Sequence, residues 1–132
     1  MCIFCKLANK EIPTNIVYED DNVTAFLDAN PTSLGHTLIV PKKHYQNILE
    51  CDENTNASIG KAIQKIGNAL LKTYGVGINV LSNINEEAGQ SVMHAHVHLI
   101  PVNKDGKKAD IKFNEIGEFD ANSVKDNIIK NL

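Results

Sequence analysis

His94, His96 and His98 stand at alternate positions in His94-Ala95-His96-Val97-His98-Leu99-Ile100. They are three of only five histidines in 132 residues. Successive side chains of a strand point to opposite faces. A period of two therefore puts the three imidazoles on one face and Ala95, Val97 and Leu99 on the other. A neutral imidazole carries one donor and one acceptor. Burying such groups without partners costs about 1–3 kcal/mol each. Three on one face is a poor way to build a core, and it points to a metal site or a catalytic constellation. Gly89-Gln90-Ser91-Val92 precedes the run, and Asn83 ends the strand before it. Gly89 lets backbone approach a ligand closely. Ser91 brings a hydroxyl to the histidine face if the strand begins there. Neutral donors gathered in this way suit phosphoryl oxygens.

The second chemical signal is Cys2-x-x-Cys5. In a reducing compartment that spacing favours metal or redox chemistry over a structural disulfide. The third cysteine, Cys51, follows Glu50 in a connecting loop and is assigned no role. His36 lies inside an apolar run and reads as a structural hydrogen-bonding residue.

These residues need a scaffold. Residues 16–19 and 23–27 read as strands joined by Asp20-Asp21-Asn22, a hairpin turn. Residues 36–40 form a third strand closed by Pro41, and 78–82 a fourth. Residues 92–102 form the last and longest strand, carrying the histidines. Between them, Ile59, Ile63, Ile66, Leu70 and Tyr74 recur at helical spacing, predicting a helix over 55–74. Asp52 and Thr55 are both candidate N-caps, and Gly75 suits the C-terminal stop. Residues 2–9 form a short helix or loop. The run Asn103-Lys104-Asp105-Gly106-Lys107-Lys108 reads as exposed loop, and 120–131 as a terminal helix with Val124, Ile128 and Leu132 on one face. The expected fold is α+β: an antiparallel sheet with one long helix packed on it. The expected division is a domain over 1–110 and a C-terminal tail over 111–132.

Composition limits the alternatives. A length of 132 residues suits one domain, and 42% hydrophobic residues suffice for a core. The net charge is -3, without the basic excess that nucleic-acid binding through phosphates demands. No apolar run approaches the roughly 20 residues of a membrane span, and no signal-peptide layout opens the chain. A cytoplasmic protein that engages neither nucleic acid nor membrane is expected.

The run at 94–100 resembles the signature of the histidine-triad family, three histidines separated by apolar residues. Gly89-Gln90-Ser91-Val92, Phe26-Leu27-Asp28 and Gly35-His36-Thr37-Leu38-Ile39-Val40-Pro41-Lys42-Lys43-His44 are similar to the branch of small nucleoside phosphoramidases and related bacterial hydrolases. The resemblance spans about residues 2 to 102. It implies a homodimer whose sheets join across the subunits, and a purine nucleotide or nucleotide conjugate bound on the sheet. It also implies His96 as nucleophile and Asp28 as the ribose ligand. Ile3, Phe4 and Phe26 become walls around the base, and Asn83, Gly89, Gln90, Ser91 and His98 phosphate contacts. In some bacterial members a cysteine pair joins a histidine after the Pro-Lys segment and the first triad histidine. Here those are Cys2, Cys5, His44 and His94, a closed and structural Zn2+ site.

The implied chemistry is hydrolysis or nucleotidyl transfer at the α-phosphate of an AMP phosphoramidate or dinucleoside polyphosphate, without a catalytic metal. His96 attacks phosphorus to give a nucleotidyl-histidine. His98 and the backbone near Gln90 and Ser91 stabilise charge, and Ser91 protonates the leaving group. Two readings compete. One is a non-catalytic nucleotide-binding scaffold of the same fold. The other is a metallohydrolase in which the triad holds the metal with Glu86 and Glu87.

Overall fold

Asp20 closes the first hairpin. Its carboxylate accepts from the backbone N–H groups of Asn22 (2.8 Å) and Val23 (2.9 Å), the local bonding that suits Asp to turns. The turn joins β1 (Ile16–Glu19) to β2 (Val23–Leu27). The computed structural model describes residues 2–105 and 111–132. In it, β3 (Thr37–Pro41), β4 (Gly75–Leu81) and β5 (Val97–Asn103) complete one sheet. Its order is β1-β2-β3-β5-β4, with every neighbouring pair antiparallel.

The long helix α2 (Glu53–Thr73) starts at Asp52, whose side chain accepts from the N–H of Thr55 at 2.8 Å. Of the two candidate caps, Asp52 is the one used. Ile59, Ile66 and Leu70 are buried against Val23, Ala25, Ile39, Ala95, Val97 and Leu99. Ala95, Val97 and Leu99 thus face the helix, as the alternation requires. Tyr74 caps the helix and is half-exposed, so the apolar stripe ends one turn early. The other face carries a smaller cluster of Phe26, Leu38, Val40 and Ala8. The short helix α1 (Ile3–Ala8) covers it with Phe4 and Leu7.

One element differs from expectation in a way that matters. The last strand begins at Val97, not at residue 92. The N–H of Ala95 donates to Tyr45 O (2.7 Å), and the Ser82 hydroxyl donates to His96 O (2.7 Å). Neither bond is a ladder bond, and the β3–β5 and β4–β5 registers reach back only to Val97 and His98. His94 and His96 therefore sit on a bent approach to the strand.

Lys104 and Asp105 are exposed, while the rest of the expected loop, 106–108, lies outside the described residues. A terminal helix α3 (Ala121–Lys130) follows, capped by Asp120. Among the described residues no helix is long and apolar enough to cross a membrane.

Candidate active site and metal centre

The three histidines fall into three different environments. His94 is fully buried, and its Nε2–H donates to Pro41 O at 2.8 Å. That bond fixes the tautomer and turns the Nδ1 lone pair outward. Nδ1 meets Cys2 Sγ at 3.3 Å, Cys5 Sγ at 3.4 Å and His44 Nδ1 at 3.2 Å. Cys5 Sγ lies 3.4 Å from His44 Nδ1. The four candidate ligand atoms lie within 4.8 Å of one another. A tetrahedral zinc with bonds of about 2.0–2.1 Å to nitrogen and about 2.3 Å to sulfur holds its ligands roughly 3.3–3.8 Å apart. The donor set and its spacing therefore fit that ion. Burial and the neighbouring Cys2 push the Cys5 thiol up to about 11, whereas a coordinated cation would deprotonate it.

Hydrogen bonds within the protein also position this cluster. Cys2 caps α1, its sulfur accepting from the Cys5 N–H at 3.3 Å. Asn9 Nδ2 donates to Cys5 O (2.9 Å) and Lys42 O (2.8 Å), and Thr24 Oγ1 donates to Ala8 O (2.6 Å). These bonds hold the end of α1 on the edge of β2 and β3, over His94.

His96 is 6% exposed. Its Nδ1–H donates to His94 O at 2.7 Å. The neutral ring then keeps its lone pair on Nε2, the nitrogen a nucleophile needs. The Phe4 ring stands edge-on to it, centroids 4.9 Å apart.

His98 belongs to a chain of donors. The Thr32 N–H donates to His36 Nδ1 (3.0 Å), so the neutral His36 ring carries its proton on Nε2. That Nε2 lies 2.9 Å from His98 Nδ1 and 3.5 Å from Asp28 Oδ2. His98 Nδ1 accepts, and its own proton sits on Nε2 as a donor. Burial depresses both groups: His36 is lowered despite Asp28, and His98 falls to about 4, with His96 and His36 adding to the effect. Both rings are neutral near pH 7, as the donor chain requires.

Sequence reasoning gave His36 a structural hydrogen bond but did not supply its partner, His98. Its run of apolar neighbours hides it, and only the register pairing Leu38 with His98 brings the two rings together. The one available signal was its place in the Gly35-to-His44 motif.

The loop that carries the expected phosphate contacts is held together by its own side chains. Gln90 is 4% exposed. Its Nε2 donates to Gln46 O (2.6 Å) and Val92 O (3.1 Å), and its Oε1 accepts from the Asn85 N–H (2.8 Å). The Gln90 side chain is thus committed to the loop, and its backbone N–H donates to Asn85 O at 3.1 Å. Asn83 Nδ2 donates to Ala88 O at 2.6 Å. Gly89 has φ +97°, and a Cβ there would stand 3.4 Å from Asn83 Nδ2, so glycine fits the turn best. Ser91 is exposed beside the loop. Asp28 Oδ1 accepts from the Asn30 N–H (2.8 Å), leaving Oδ2 to His36. Ile3 is half-exposed and Phe4 partly buried. Phe26 is 2% exposed, with its ring 6.1 Å from Phe4. Cys51 sits in the core under α2. Glu86 and Glu87 lie exposed on a short 3-10 turn. Neither metal-ligating group found among the described residues includes them.

The HIT domain model matches residues 9–105. An uncharacterized HIT-like protein of Methanocaldococcus jannaschii is 44% identical over 124 residues, 94% of this chain and 95% of that protein. The adenylylsulfatase HINT3 of Arabidopsis thaliana is 41% identical over 76% of this chain and 51% of its own length. The crystal structure of a HIT family member from Bacillus subtilis superposes with TM-score 0.89 at 35% identity, over 99% of this chain and 96% of that one. A Zn-bound histidine triad family protein from Mycobacterium smegmatis superposes at 0.75 and 29% identity, over 86% and 84%.

Proposed function

Because the chain belongs to the HIT domain family, we propose that it is a hydrolase or nucleotidyl transferase acting at the α-phosphate of a purine nucleotide conjugate, with His96 as nucleophile. The observation that carries this reading is the His96 Nδ1–H bond to His94 O at 2.7 Å, which commits one nitrogen and leaves Nε2 its lone pair. An adenylylsulfatase among the relatives supports an adenylyl-phosphorus substrate. In the first half-reaction Nε2 bonds to the α-phosphorus and the bond to the leaving nitrogen or oxygen breaks. Ser91 supplies the leaving group's proton. His98 Nε2–H and the backbone beside Gln90, at Ser91, neutralise the developing negative charge. Water then attacks the nucleotidyl-histidine, releasing the monophosphate and the imidazole. Asp28 Oδ2 is the acceptor for the ribose hydroxyls, and Ile3, Phe4 and Phe26 line the base. Asn83 and Gly89 shape the phosphate loop.

Cys2, Cys5, His44 and His94 would hold a structural zinc ion, and the Zn-bound relative supports this. Four protein donors would close the coordination shell, so the ion would supply rigidity rather than Lewis acidity. A homodimer completes the reading. The outer edge of β4 is unpaired among the described residues, and Val76 and Val80 are exposed on that strand. A second copy pairing there would remove an aggregation-prone edge.

The test is His96→Ala assayed on an adenosine phosphoramidate, with acid-quenched mass spectrometry of the wild type. Turnover should fall at least about 10³-fold, as for loss of a covalent nucleophile, with AMP binding retained. An adenylylated peptide containing His96 should appear in the wild type. A wild type that binds AMP but turns over no adenylyl conjugate would favour the scaffold reading instead.

A further inference from the structure

We infer that the cluster of Cys2, Cys5, His44 and His94 and the nucleotide site are coupled through α1, so that zinc at the first tightens a nucleoside monophosphate at the second, and the nucleotide tightens zinc in return. The inference rests on the zinc and nucleotide readings above and adds the linkage between them.

The first observation is how the residues interleave. Ile3 and Phe4, the proposed walls of the base, stand between Cys2 and Cys5 in the first turn of α1. The backbone that carries the two sulfurs is the backbone that carries Phe4. The Phe4 ring stands edge-on to His96, with centroids 4.9 Å apart, and to His94, with centroids 6.2 Å apart. One side chain therefore packs against the proposed nucleophile and a proposed metal ligand together.

The second observation is how that turn is fastened. The far end of α1 is anchored by the bonds from Thr24 Oγ1 to Ala8 O and from Asn9 Nδ2 to Lys42 O. Among the described residues, the polar contacts that join 2–5 to the rest of the domain, outside α1 and its cap, are those of the two sulfurs. They run from Cys2 to His94 (3.3 Å), from Cys5 to His94 (3.4 Å) and from Cys5 to His44 (3.4 Å). A helix of six residues has no stability of its own and takes its order from what it docks on. A thiol is a weak donor, whereas coordinate bonds would hold the same four groups firmly. Occupancy of the cluster thus decides how firmly Phe4 is held over His96.

The third observation is where the other ligands lead. His94 O accepts the Nδ1–H of His96 at 2.7 Å. His44 precedes Tyr45, whose carbonyl accepts from the Ala95 N–H at 2.7 Å, and Gln46, whose carbonyl accepts from Gln90 Nε2 at 2.6 Å. The four donors come from three segments, and each segment continues into the nucleotide site. Fixing them together fixes Phe4, His96 and the Gln90 loop relative to one another.

A loose wall must be ordered before it can hold a base, and that cost is subtracted from affinity. Where a first ligand has already ordered the wall, the second binds more tightly. Linkage then requires each ligand to change the other's affinity by the same factor, typically about 5–150-fold. A purely structural ion would act otherwise. It would stabilise the whole domain and leave the AMP affinity of the folded protein unchanged. The packing favours the local effect, because α1 lies on the sheet face opposite α2, and the core under α2 contains no residue of α1.

The test uses AMP, the product of the proposed reaction, on the full chain. Calorimetry measures AMP affinity in zinc-loaded protein and in protein stripped with a chelator and desalted. Competition with a chromophoric chelator measures zinc affinity with and without saturating AMP. Hydrogen exchange follows 3–8 in α1 and 53–73 in α2. Stripping should weaken AMP at least about tenfold, and AMP should strengthen zinc by the same factor. Amides of α1 should lose protection in stripped protein while those of α2 keep it. In zinc-loaded Phe4→Ala, AMP should bind more weakly and its effect on zinc affinity should disappear.

Equal AMP affinity in loaded and stripped protein overturns the coupling and leaves both sites standing. Loss of protection in α2 together with α1 overturns it as well, because the ion then stabilises the whole fold. A linkage that survives in Phe4→Ala overturns the route through α1. A chain that takes up no zinc overturns the zinc reading and the coupling with it, while AMP binding by the same sample still reads the nucleotide site. A zinc-loaded chain that binds no AMP overturns the nucleotide reading instead.

Discussion

Two imidazole clusters flank His96, and they are built on opposite principles. At Cys2, Cys5, His44 and His94, two sulfurs and two imidazole Nδ1 atoms converge, and the bond to Pro41 O leaves His94 Nδ1 a lone pair. At Asp28, His36 and His98, each close contact has a donor and an acceptor in series. The first donor set fits a cation, and the second satisfies itself with protons. Both contain a buried histidine whose tautomer is fixed by the backbone, through Pro41 O for His94 and the Thr32 N–H for His36. What separates them is the sign of that backbone bond. A carbonyl partner leaves the far nitrogen a lone pair, which suits metal. An N–H partner leaves the far nitrogen a proton, which is passed on as a hydrogen bond. His96 follows the carbonyl pattern, and among the described residues its Nε2 meets no hydrogen-bond partner, so its lone pair stays open.

That contrast can be broken first at the metal side. His94→Ala should remove one of four donors and cost about 3 kcal/mol, lowering Tm by roughly 10 °C for a chain of this size. Exhaustive chelation should produce a comparable drop in the wild type and almost none in the variant. Equal sensitivity of both to chelator would detach the stability from this cluster.

On the proton side, His36→Ala should leave zinc content unchanged and reduce turnover about 10–100-fold, the usual scale for a partner that orients a functional imidazole. His36 acts through His98, so its signature is spectroscopic. Nitrogen chemical shifts should report His98 with its proton on Nε2 in the wild type and a mixture of tautomers in the variant. An unchanged tautomer together with reduced turnover would assign His36 to packing alone.

A further test on the proton side concerns pH. The folded-state pKa values of His36 and His98 lie below the ordinary imidazole value of about 6.5. The unfolded chain therefore binds more protons than the folded one between these limits. Stability from these groups is complete above about pH 6.5. It declines as pH falls toward about 4, the value for His98, and levels off below it. Denaturant melts of wild type and His98→Asn across this range should converge as the pH drops. A constant difference between them would place the His98 pKa elsewhere.

Much of this was legible along the chain. The hairpin at Asp20, the helix stripe of Ile59, Ile66 and Leu70, and the division of Ala95, Val97 and Leu99 from the histidines all follow from local periodicity and turn chemistry. Periodicity failed just where the site lies. A strict alternation over 92–102 reads as strand, but Tyr45 O and Ser82 Oγ capture the backbone groups of Ala95 and His96 and bend the segment before β5. The strand model would set the three imidazoles side by side, and the bend separates their surroundings. Gln90 illustrates the same limit. Its type and place suggested a phosphate contact, whereas its amide is used to hold the loop against Gln46.

The sequence by itself determined the α+β architecture, the candidate histidines and the cysteine spacing, because these depend on residue type and on separations of a few positions. Tertiary structure alone decided which donor each imidazole meets. The contacts that assign the roles join Cys2 to His94, Cys5 to His44 and His36 to His98. Those pairs are distant in the chain, and their meeting depends on sheet order, on register and on the docking of α1. A proton's position on an imidazole ring is set by its neighbours in space.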